Sequence, residues 1–180
     1  FGRILYRSIL KDLTKLRISG NYLEAGAGPG IFAVMLAEAN PSAKIACLDI
    51  SRDMVEVGRR YVEEQGLAGR IRFVVGDVGD EGVLAQLGKF DLVYSTFSMH
   101  HWDDVKRSLL NLWKVVKDGG VLYIADFRRV WWIDLVPFGG GLTGSIKISL
   151  TKPELEKIAS EINLSNYQVK ERFPFFLSLT

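Results

Sequence analysis

Three glycines at alternate positions, Gly26, Gly28 and Gly30, follow a short apolar run near the start of the sequence. Glycines are used where a backbone turns sharply or approaches a ligand closely. An apolar helical pattern follows them, and a helix that begins at such a turn directs its free N–H groups back over the loop. These residues therefore predict a nucleotide-type binding loop between a strand and a helix.

Three acidic residues stand at or near the ends of apolar runs. Asp49 ends the second run, 19 positions after Gly30, where a carboxylate can accept hydrogen bonds from both hydroxyls of a ribose. Asp77 ends the third run and could accept from the exocyclic amine of adenine. A solvated strand end for Asp49 and a loop cap for Asp77 are the alternatives. Glu24 lies inside the first run, where burial is costly without a donor such as a ligand amine or backbone N–H groups.

The only two histidines, His100 and His101, are adjacent and follow the fourth apolar run. Either could serve as the base for a substrate hydroxyl or carbon acid, and His101 is preferred. Alternatively, one histidine orients the turn and the other is exposed. Two neighbouring histidines without a third ligand do not make a zinc site, so no metal is predicted.

Five apolar runs alternate with helical patterns between residues 21 and 127. The predicted strands cover 22–25, 43–49, 71–75, 90–95 and 121–127, and the predicted helices cover 31–39, 51–65, 80–87 and 105–116. This alternation is typical of an α/β fold with a parallel sheet and helices on both faces. Ligands bind outside the carboxyl ends of such strands, which is where the glycines, acids and histidines fall.

The segments that flank this alternation predict further parts of a site. Residues 4–18 form an amphipathic pattern, so we expect a helix that packs on the sheet, or one that folds over a ligand as a lid. Residues 128–150 are irregular and predict a substrate-selecting insertion. Its aromatic residues could form an apolar wall, its two arginines could meet an anion, and its tryptophans could instead pack on the sheet or on a second subunit. These residues are Arg128, Arg129, Trp131, Trp132 and Phe138.

The end of the chain adds a helix and two strands. Thr151 and Glu154 form the sequence of a capping box, which predicts the start of a helix. Residues 167–172 and 175–179 predict two last strands, and Pro174 between them indicates a tight hairpin or a bulge. No repeat or linker divides the sequence, so we expect a single domain over residues 1–180.

The composition limits the class of protein. The chain has 180 residues and a formal net charge of +2, so no basic footprint predicts nucleic-acid binding. A single cysteine, Cys47, cannot form an internal disulfide, which favours a reducing compartment. No apolar run approaches the ~18 residues of a membrane helix. Nothing resembles a signal peptide, so we expect a cytoplasmic protein.

The glycine spacing separates two classes of cofactor. A dinucleotide fingerprint would place its third glycine at position 31, where the sequence has Ile31, whereas Gly30 follows Pro29 here. The stretch 23–30 (LEAGAGPG) resembles the first motif of class I S-adenosylmethionine-dependent methyltransferases, and 48–51 (LDIS) and 75–78 (VGDV) resemble their second and third motifs. Residues 99–102 (MHHW) and 117–122 (KDGGVL) resemble the branch that includes the ubiquinone and menaquinone methyltransferases.

The resemblance implies a fold and a set of cofactor contacts. The fold would be a Rossmann-like, doubly wound, seven-stranded and mostly parallel sheet with an antiparallel C-terminal strand. By the resemblance, Glu24 would contact the amino group of the cofactor, and the backbone of Gly26 and Gly28 would contact its methionine part. Ser95 and Thr96 would face the sulfonium end. Asp49 would bind the ribose hydroxyls, and Ile50, Asp77 and Val78 would contact the adenine.

The resemblance also implies S-adenosyl-L-methionine as cofactor, S-adenosyl-L-homocysteine as product and a small-molecule methyl acceptor. The aromatic residues of the 128–150 insertion favour an acceptor that is apolar or aromatic. Transfer from a sulfonium is an in-line displacement, so the protein mainly needs to place the acceptor. The turn from Ser95 to Ser98 lacks the two prolines of nucleobase amino methyltransferases, and Cys47 lies inside a strand, which argues against nucleic acid. A non-catalytic interaction module, a nicotinamide-dependent oxidoreductase and a homodimer stay open.

Overall fold

A single seven-stranded sheet organises the computed structural model, which describes residues 2–135 and 140–180. Its strands are β1 (Asn21–Ala25), β2 (Lys44–Asp49), β3 (Ile71–Val75), β4 (Phe90–Thr96), β5 (Val116–Phe127), β6 (Val169–Arg172) and β7 (Phe176–Leu179). Their spatial order is β3-β2-β1-β4-β5-β7-β6. Strands β1 to β5 are parallel, and β7 is antiparallel to both of its neighbours. The predicted Rossmann-like, mostly parallel sheet is confirmed.

Helices cover both faces of the sheet. One face carries α1 (Gly2–Lys15), α2 (Ile31–Ala39) and α3 (Arg52–Glu64), and the other carries α4 (Glu81–Leu87), α5 (Val105–Lys114) and, after α6 (Gly140–Ile148), α7 (Lys152–Glu161). Because side chains alternate along a strand, Leu23 and Ala25 of β1 join one core, whereas Tyr22 joins the other. Glu24 consequently points toward the face covered by α1 and α2.

The amphipathic helix α1 packs on the protein as expected, although it ends three residues before the predicted end. Ile9 and Leu13 are buried in the core that α2 shares. The Asp12 carboxylate receives hydrogen bonds from the Tyr123 hydroxyl of β5 and from Arg172 of β6. Helix α1 is therefore hydrogen-bonded both to β5 and to β6, the strand at one edge of the sheet.

Strand β5 begins at Val116, five residues before the predicted start. Val115 and Val116 are buried at the edge of β4, where the N–H of Phe90 donates to the carbonyl of Val115 at 2.9 Å. The register then shifts, and Leu92 pairs with Val121. The Lys-Asp-Gly-Gly segment, which lies between the predicted helix 105–116 and the predicted strand 121–127, is therefore a bulge within β5, stabilised by an ion pair between Lys117 and Asp91.

The expected irregular insertion contains helical structure, which corrects the sequence prediction. A 3₁₀ helix spans Trp131–Leu135 and is followed by α6. Ile133 and Ile146 are buried with Phe127 in a third apolar cluster, so packing overrides the low helix propensity of a glycine-rich segment. Trp132 packs on this cluster, whereas Trp131 is 86% exposed and does not pack on the sheet. Phe138 lies outside the described residues.

The final two strands form the predicted hairpin, with Arg172 paired to Phe176 across the segment that contains Pro174. Thr151 and Glu154 form the predicted capping box at the start of α7. Within residues 2–135 and 140–180, none of the helices is both long and apolar enough to cross a lipid bilayer.

Candidate functional site

The glycine loop joins β1 to α2 and lies against the end of β2. Gly26, Gly28 and Gly30 all have positive φ angles, of 69°, 53° and 73°, a conformation that favours glycine. The N–H groups of Gly26 and Ala27 donate to the carbonyl of Leu48 at 2.8 and 3.1 Å. A Cβ added at Gly26 would lie 1.8 Å from the Ser98 hydroxyl oxygen. The loop therefore needs glycine both for its conformation and for its close approach to the turn after β4.

Asp49 ties the glycine loop to the start of α3. Its Oδ2 accepts from the N–H of Gly28 at 2.7 Å, and its Oδ1 accepts from the N–H of Ser51 at 2.9 Å. Each carboxylate oxygen has more than one acceptor site, so both retain capacity for a ligand hydroxyl. The two backbone donors fix the orientation of the carboxylate before any ligand arrives.

A cleft of about 310 Å³ opens at the carboxyl ends of β1 to β4. Five of the predicted cofactor residues line it: Gly26, Asp49, Ile50, Asp77 and Val78. The side chain of Ile50 is 70% exposed. An exposed aliphatic residue between two carboxylates offers an apolar surface for a flat ring, with acceptors for polar groups on either side.

The sequence predicted no site role for five residues that line the same cleft: Leu48 and Gly76, which flank the predicted acids, and Ser98, Trp102 and Asp103, which lie beside His101. The Trp102 indole N–H donates to the Ser98 hydroxyl at 3.1 Å, which holds both side chains over the glycine loop. The sequence could have indicated Ser98, Trp102 and Asp103, because they follow β4 directly and the turn after that strand faces the glycine loop in a parallel sheet.

Asp77 caps its loop and also lies at the cleft. Its Oδ1 accepts from the N–H of Gly79 at 2.7 Å, so it caps the loop after β3. It also lines the cleft, and its second carboxylate oxygen has no hydrogen bond within the described residues.

Glu24 is 1% exposed and does not line the cleft, although it lies two residues before Gly26, which does. The Tyr94 hydroxyl donates to its Oε2 at 3.1 Å, and the Thr96 hydroxyl donates to its Oε1 at 3.4 Å. Burial raises the pKa of Glu24 from the ordinary 4.5 to about 8, although the hydrogen bonds from Tyr94 and Thr96 oppose the shift. The carboxyl group therefore carries a proton at neutral pH and is set to lose it beside a cationic ligand group.

Ser95 and Thr96 lie behind the cleft in β4. Ser95 has no exposed surface, and its hydroxyl donates to the carbonyl of Ala25 at 2.7 Å. It therefore braces β4 against β1, which differs from the predicted position at the sulfonium end of the cofactor. Thr96 is nearly buried and directs its hydroxyl at Glu24.

The two histidines have different surroundings. His100 is buried, with its Nδ1 2.7 Å from Oδ1 of Asp126. The ring of His101 lies beside it, tilted by 45° with centroids 4.0 Å apart, and His101 lines the cleft. His101 is exposed, as in the alternative considered from the sequence, yet partial desolvation lowers its pKa below the ordinary 6.5, with a smaller contribution from His100. His101 is thus neutral at pH 7 and able to accept a proton.

A second cavity, of about 180 Å³, lies between α1, β5 and the β6–β7 hairpin. Its lining is mostly apolar and includes Leu5, Ile9, Phe97, Phe173 and Phe176, together with Asp126 and Arg172. Phe97 directly precedes Ser98 of the first cleft and has a positive φ of 53°. Consecutive residues of one turn thus line the two cavities, and non-glycine residues in this conformation cluster at functional sites.

The cofactor implied by the motifs fits these residues on three counts. The cleft offers acceptors for ribose hydroxyls at Asp49 and for an amine at Asp77, and an exposed apolar face at Ile50. Gly26 keeps the space beside the loop open, because any side chain at this position would collide with Ser98. The described part of the chain brings together no group of three or more His, Cys, Asp or Glu residues that could hold a metal ion.

Comparison with known proteins gives consistent results. Residues 23–120 match the family model described as "Methyltransferase domain". Over 154 residues the chain is 29% identical to the demethylmenaquinone methyltransferase of Thermus thermophilus, covering 79% of this chain and 68% of the relative. Over 149 residues it is 29% identical to malonyl-[acyl-carrier protein] O-methyltransferase 1 of Ilyobacter polytropus, covering 83% and 53%.

A solved structure described as a putative S-adenosyl-L-methionine-dependent methyltransferase from Methanococcus maripaludis superposes with a TM-score of 0.79 at 22% identity, covering 98% of this chain and 84% of that one. At that identity the similarity shows the fold. The chain spans about half the length of many of the curated relatives it matches.

Proposed function

The chain belongs to the class I S-adenosylmethionine-dependent methyltransferases, and on that premise we propose that it methylates a small, apolar acceptor with an aromatic ring. The observation that carries the proposal is the cleft in which Gly26, Asp49 and Asp77 converge. These residues come from the ends of three different strands, and their backbone and carboxylate groups suit the parts of one nucleoside cofactor.

Different residues in and beside the cleft would hold different parts of that cofactor. Asp49, oriented by Gly28 and Ser51, would bind the ribose hydroxyls. Ile50 would lie on the adenine ring, with Asp77 accepting from the adenine amine and Val78 beside it. The backbone of Gly26 and Gly28 would follow the methionine part, with Glu24 near the amino group.

The cofactor supplies a methyl group already activated on a sulfonium, so the chain needs no nucleophile of its own. Its residues have to orient the acceptor, exclude water and, for a hydroxyl or carbon acid, remove a proton. The neutral His101 at the cleft would hold that proton on its imidazole. His100 and Asp126 would keep the histidine turn in place.

The acceptor would bind in the second cavity, because it adjoins the first cleft through Phe97 and Ser98. Three phenylalanines in its lining favour an aromatic group. Arg172 in the lining of this cavity already bonds to Asp12 and Ser8 of α1, so it is not available to bind a carboxylate of the acceptor. Of the acceptors named for the two relatives, a quinol-type ring suits this cavity better than a malonyl thioester.

Calorimetric titration with S-adenosylhomocysteine tests the cofactor site. We expect binding to the wild-type protein and at least about tenfold weaker binding to Asp49→Asn, since hydrogen bonds to a charged acceptor are among the stronger ones. Asp53→Asn, in the first turn of α3, is the control and should bind normally. No binding of S-adenosylhomocysteine at millimolar concentration would overturn the proposal.

Transfer of a radiolabelled methyl group tests the acceptor. A demethylated naphthoquinol should be labelled, and Phe97→Ala should lose that labelling while retaining S-adenosylhomocysteine binding. Labelling of a malonyl thioester instead of the quinol would refute the aromatic acceptor and leave the methyltransferase activity standing.

A further inference from the structure

Ser98 and Trp102 stand at the two ends of the short 3₁₀ turn after β4, and both line the cofactor cleft. The N–H of His101 donates to the carbonyl of Ser98 at 2.9 Å, and the N–H of Trp102 donates to that of Met99 at 3.1 Å. The indole N–H of Trp102 donates to the Ser98 hydroxyl across the same turn. Backbone and side-chain bonds therefore hold both residues in place at the cleft.

The hydroxyl of Ser98 has a proton that the protein does not use. Because the indole N–H donates to Oγ, one acceptor site of this oxygen is occupied, and the hydroxyl can still donate its own proton. Across residues 2–135 and 140–180, the side-chain bond of the Ser98 hydroxyl is the one it accepts from Trp102. A donor that lines a cleft and has no acceptor in the described chain is available to a ligand.

This donor lies directly against the backbone of Gly26. A Cβ added to Gly26 would lie 1.8 Å from Oγ of Ser98, and the proposed function places the methionine part of the cofactor along this backbone. The sulfonium and ammonium groups of that part are cations and accept no hydrogen bond, whereas its α-carboxylate is a charged acceptor. The carboxylate is therefore the group that can accept the Ser98 proton.

The charges of the cleft make such a donor important. Asp49, Asp77 and Asp103 line it, and none of its described lining residues is a lysine or an arginine. Three carboxylates favour the cationic groups of the cofactor and repel its carboxylate. With no cation in the lining to offset this repulsion, the carboxylate depends on hydrogen-bond donors, which bind a charged acceptor about twice as strongly as a neutral one.

We propose that Ser98 binds the α-carboxylate of the cofactor through its hydroxyl, and that Trp102 is a positioning residue that orients and polarises this hydroxyl. A bond donated to Oγ strengthens the bond that the same hydroxyl donates. The inference rests on the proposed function, because it takes the amino-acid end of the cofactor to lie along Gly26. It gives a role to two cleft residues for which the sequence predicted none.

The test compares three ligands that differ at the amino-acid end, by calorimetry on the full chain. S-adenosylhomocysteine carries the carboxylate and the amine, its decarboxylated analogue retains the amine, and 5′-methylthioadenosine has neither. For Ser98→Ala we expect about tenfold weaker binding of S-adenosylhomocysteine, the loss expected for a hydrogen bond to a charged group. The affinities for the other two ligands should stay within twofold of the wild-type values.

Trp102→Phe tests the positioning role, because phenylalanine retains an aromatic ring and lacks the indole N–H. We expect a smaller loss of S-adenosylhomocysteine affinity, about threefold, with no change for the two ligands that lack the carboxylate. The double variant Ser98→Ala/Trp102→Phe should bind no more weakly than Ser98→Ala alone, because Trp102 acts through Ser98.

Two matched substitutions away from the cleft are the controls. Ser42→Ala removes an exposed hydroxyl that donates to Oδ1 of Asn40 at 2.8 Å, and Trp113→Phe removes the indole of a half-buried tryptophan on α5 that does not line the cleft. Both variants should bind all three ligands as the wild type does. Binding of 5′-methylthioadenosine also shows that a variant is folded, so a selective loss is not confused with unfolding.

The outcomes separate this inference from the proposed function. If the wild-type protein binds none of the three ligands, the proposed function fails, and the inference fails with it. If the wild type binds S-adenosylhomocysteine and Ser98→Ala binds it within twofold as tightly, only this inference fails. Equal weakening of all three ligands in Ser98→Ala would assign Ser98 to the shape of the cleft and overturn the inference. Additive losses in the double variant would overturn the positioning role of Trp102.

Discussion

The imidazole of His100 and the carboxylate of Asp126 form a buried pair, with Nδ1 2.7 Å from Oδ1 and neither side chain more than 2% exposed. Oδ2 of Asp126 also accepts from the backbone N–H of His100 at 2.8 Å, and Oδ1 accepts from that of Phe127 at 2.7 Å. One carboxylate therefore joins the end of β5 to the 3₁₀ turn after β4 and holds the turn that carries His101.

Asp126→Ala should lower the free energy of unfolding by about 3 kcal/mol, because it leaves a buried imidazole and two backbone N–H groups without their acceptor. Urea unfolding measures the change. The control is Asp134→Ala, which removes an exposed carboxylate paired with Lys147 and should change little, since exposed ion pairs contribute little. Equal losses in the two variants would contradict the anchoring role.

His101 should set the acidic limb of the pH–rate profile. Its pKa is lowered from 6.5 by partial desolvation and by the neighbouring His100, so at saturating cofactor we expect the rate to fall to half of its maximum only at a pH below 6.5. His101→Gln should remove the decline and slow methyl transfer about a hundredfold at pH 7.5, as for loss of a general base. Initial rates with a labelled methyl group provide the measurement, and Lys106→Gln on the exposed side of α5 is the control. An unchanged acidic limb in His101→Gln would point to another base.

Glu24 should make the protein less stable as the pH rises from 4.5 to 8. The folded protein retains the proton on Glu24 up to about pH 8, whereas the unfolded chain releases it near the ordinary value of 4.5. This contribution to stability is fully present below pH 4.5 and is lost as the pH rises through 8, with a slope of up to about 1.4 kcal/mol per pH unit.

Glu24→Gln should flatten that dependence, because its amide does not ionise. Thermal unfolding midpoints between pH 5 and 8 measure it, with Glu56→Gln as the control at an exposed position on α3. If wild type and Glu24→Gln respond to pH in parallel, another group causes the decline.

Gly26→Ala should be far more damaging than Gly66→Ala, although both glycines have a φ of 69°. A Cβ at Gly66 meets no atom within 4 Å, so alanine there should cost only the backbone strain of about 1 kcal/mol. A Cβ at Gly26 would collide with the Ser98 side chain, so it should cost more stability and also abolish S-adenosylhomocysteine binding. Denaturant unfolding and calorimetry measure the two effects, and equal stability losses would show that the turn after β4 can move aside.

Local sequence patterns were sufficient for the central sheet. Strands β1 to β4 and the helices between them alternate at regular spacing, and four consecutive residues of β1 are buried because helices cover both faces of the sheet. The prediction was wrong for the start of β5 and for the insertion, because the bulge at Lys117 and the burial of Ile133 and Ile146 depend on residues distant in sequence.

The sequence by itself determined the cleft, because its glycines and carboxylates lie at the carboxyl ends of consecutive parallel strands, and these ends must meet at one edge. Tertiary structure alone decided what surrounds it. The pairing of β1 with β4 places Tyr94 on Glu24 across 70 positions, and the packing of α1 places the ring of Tyr6 between Phe32 and Phe97. Strand order and helix packing determine such contacts, because they bring side chains together regardless of their separation along the chain.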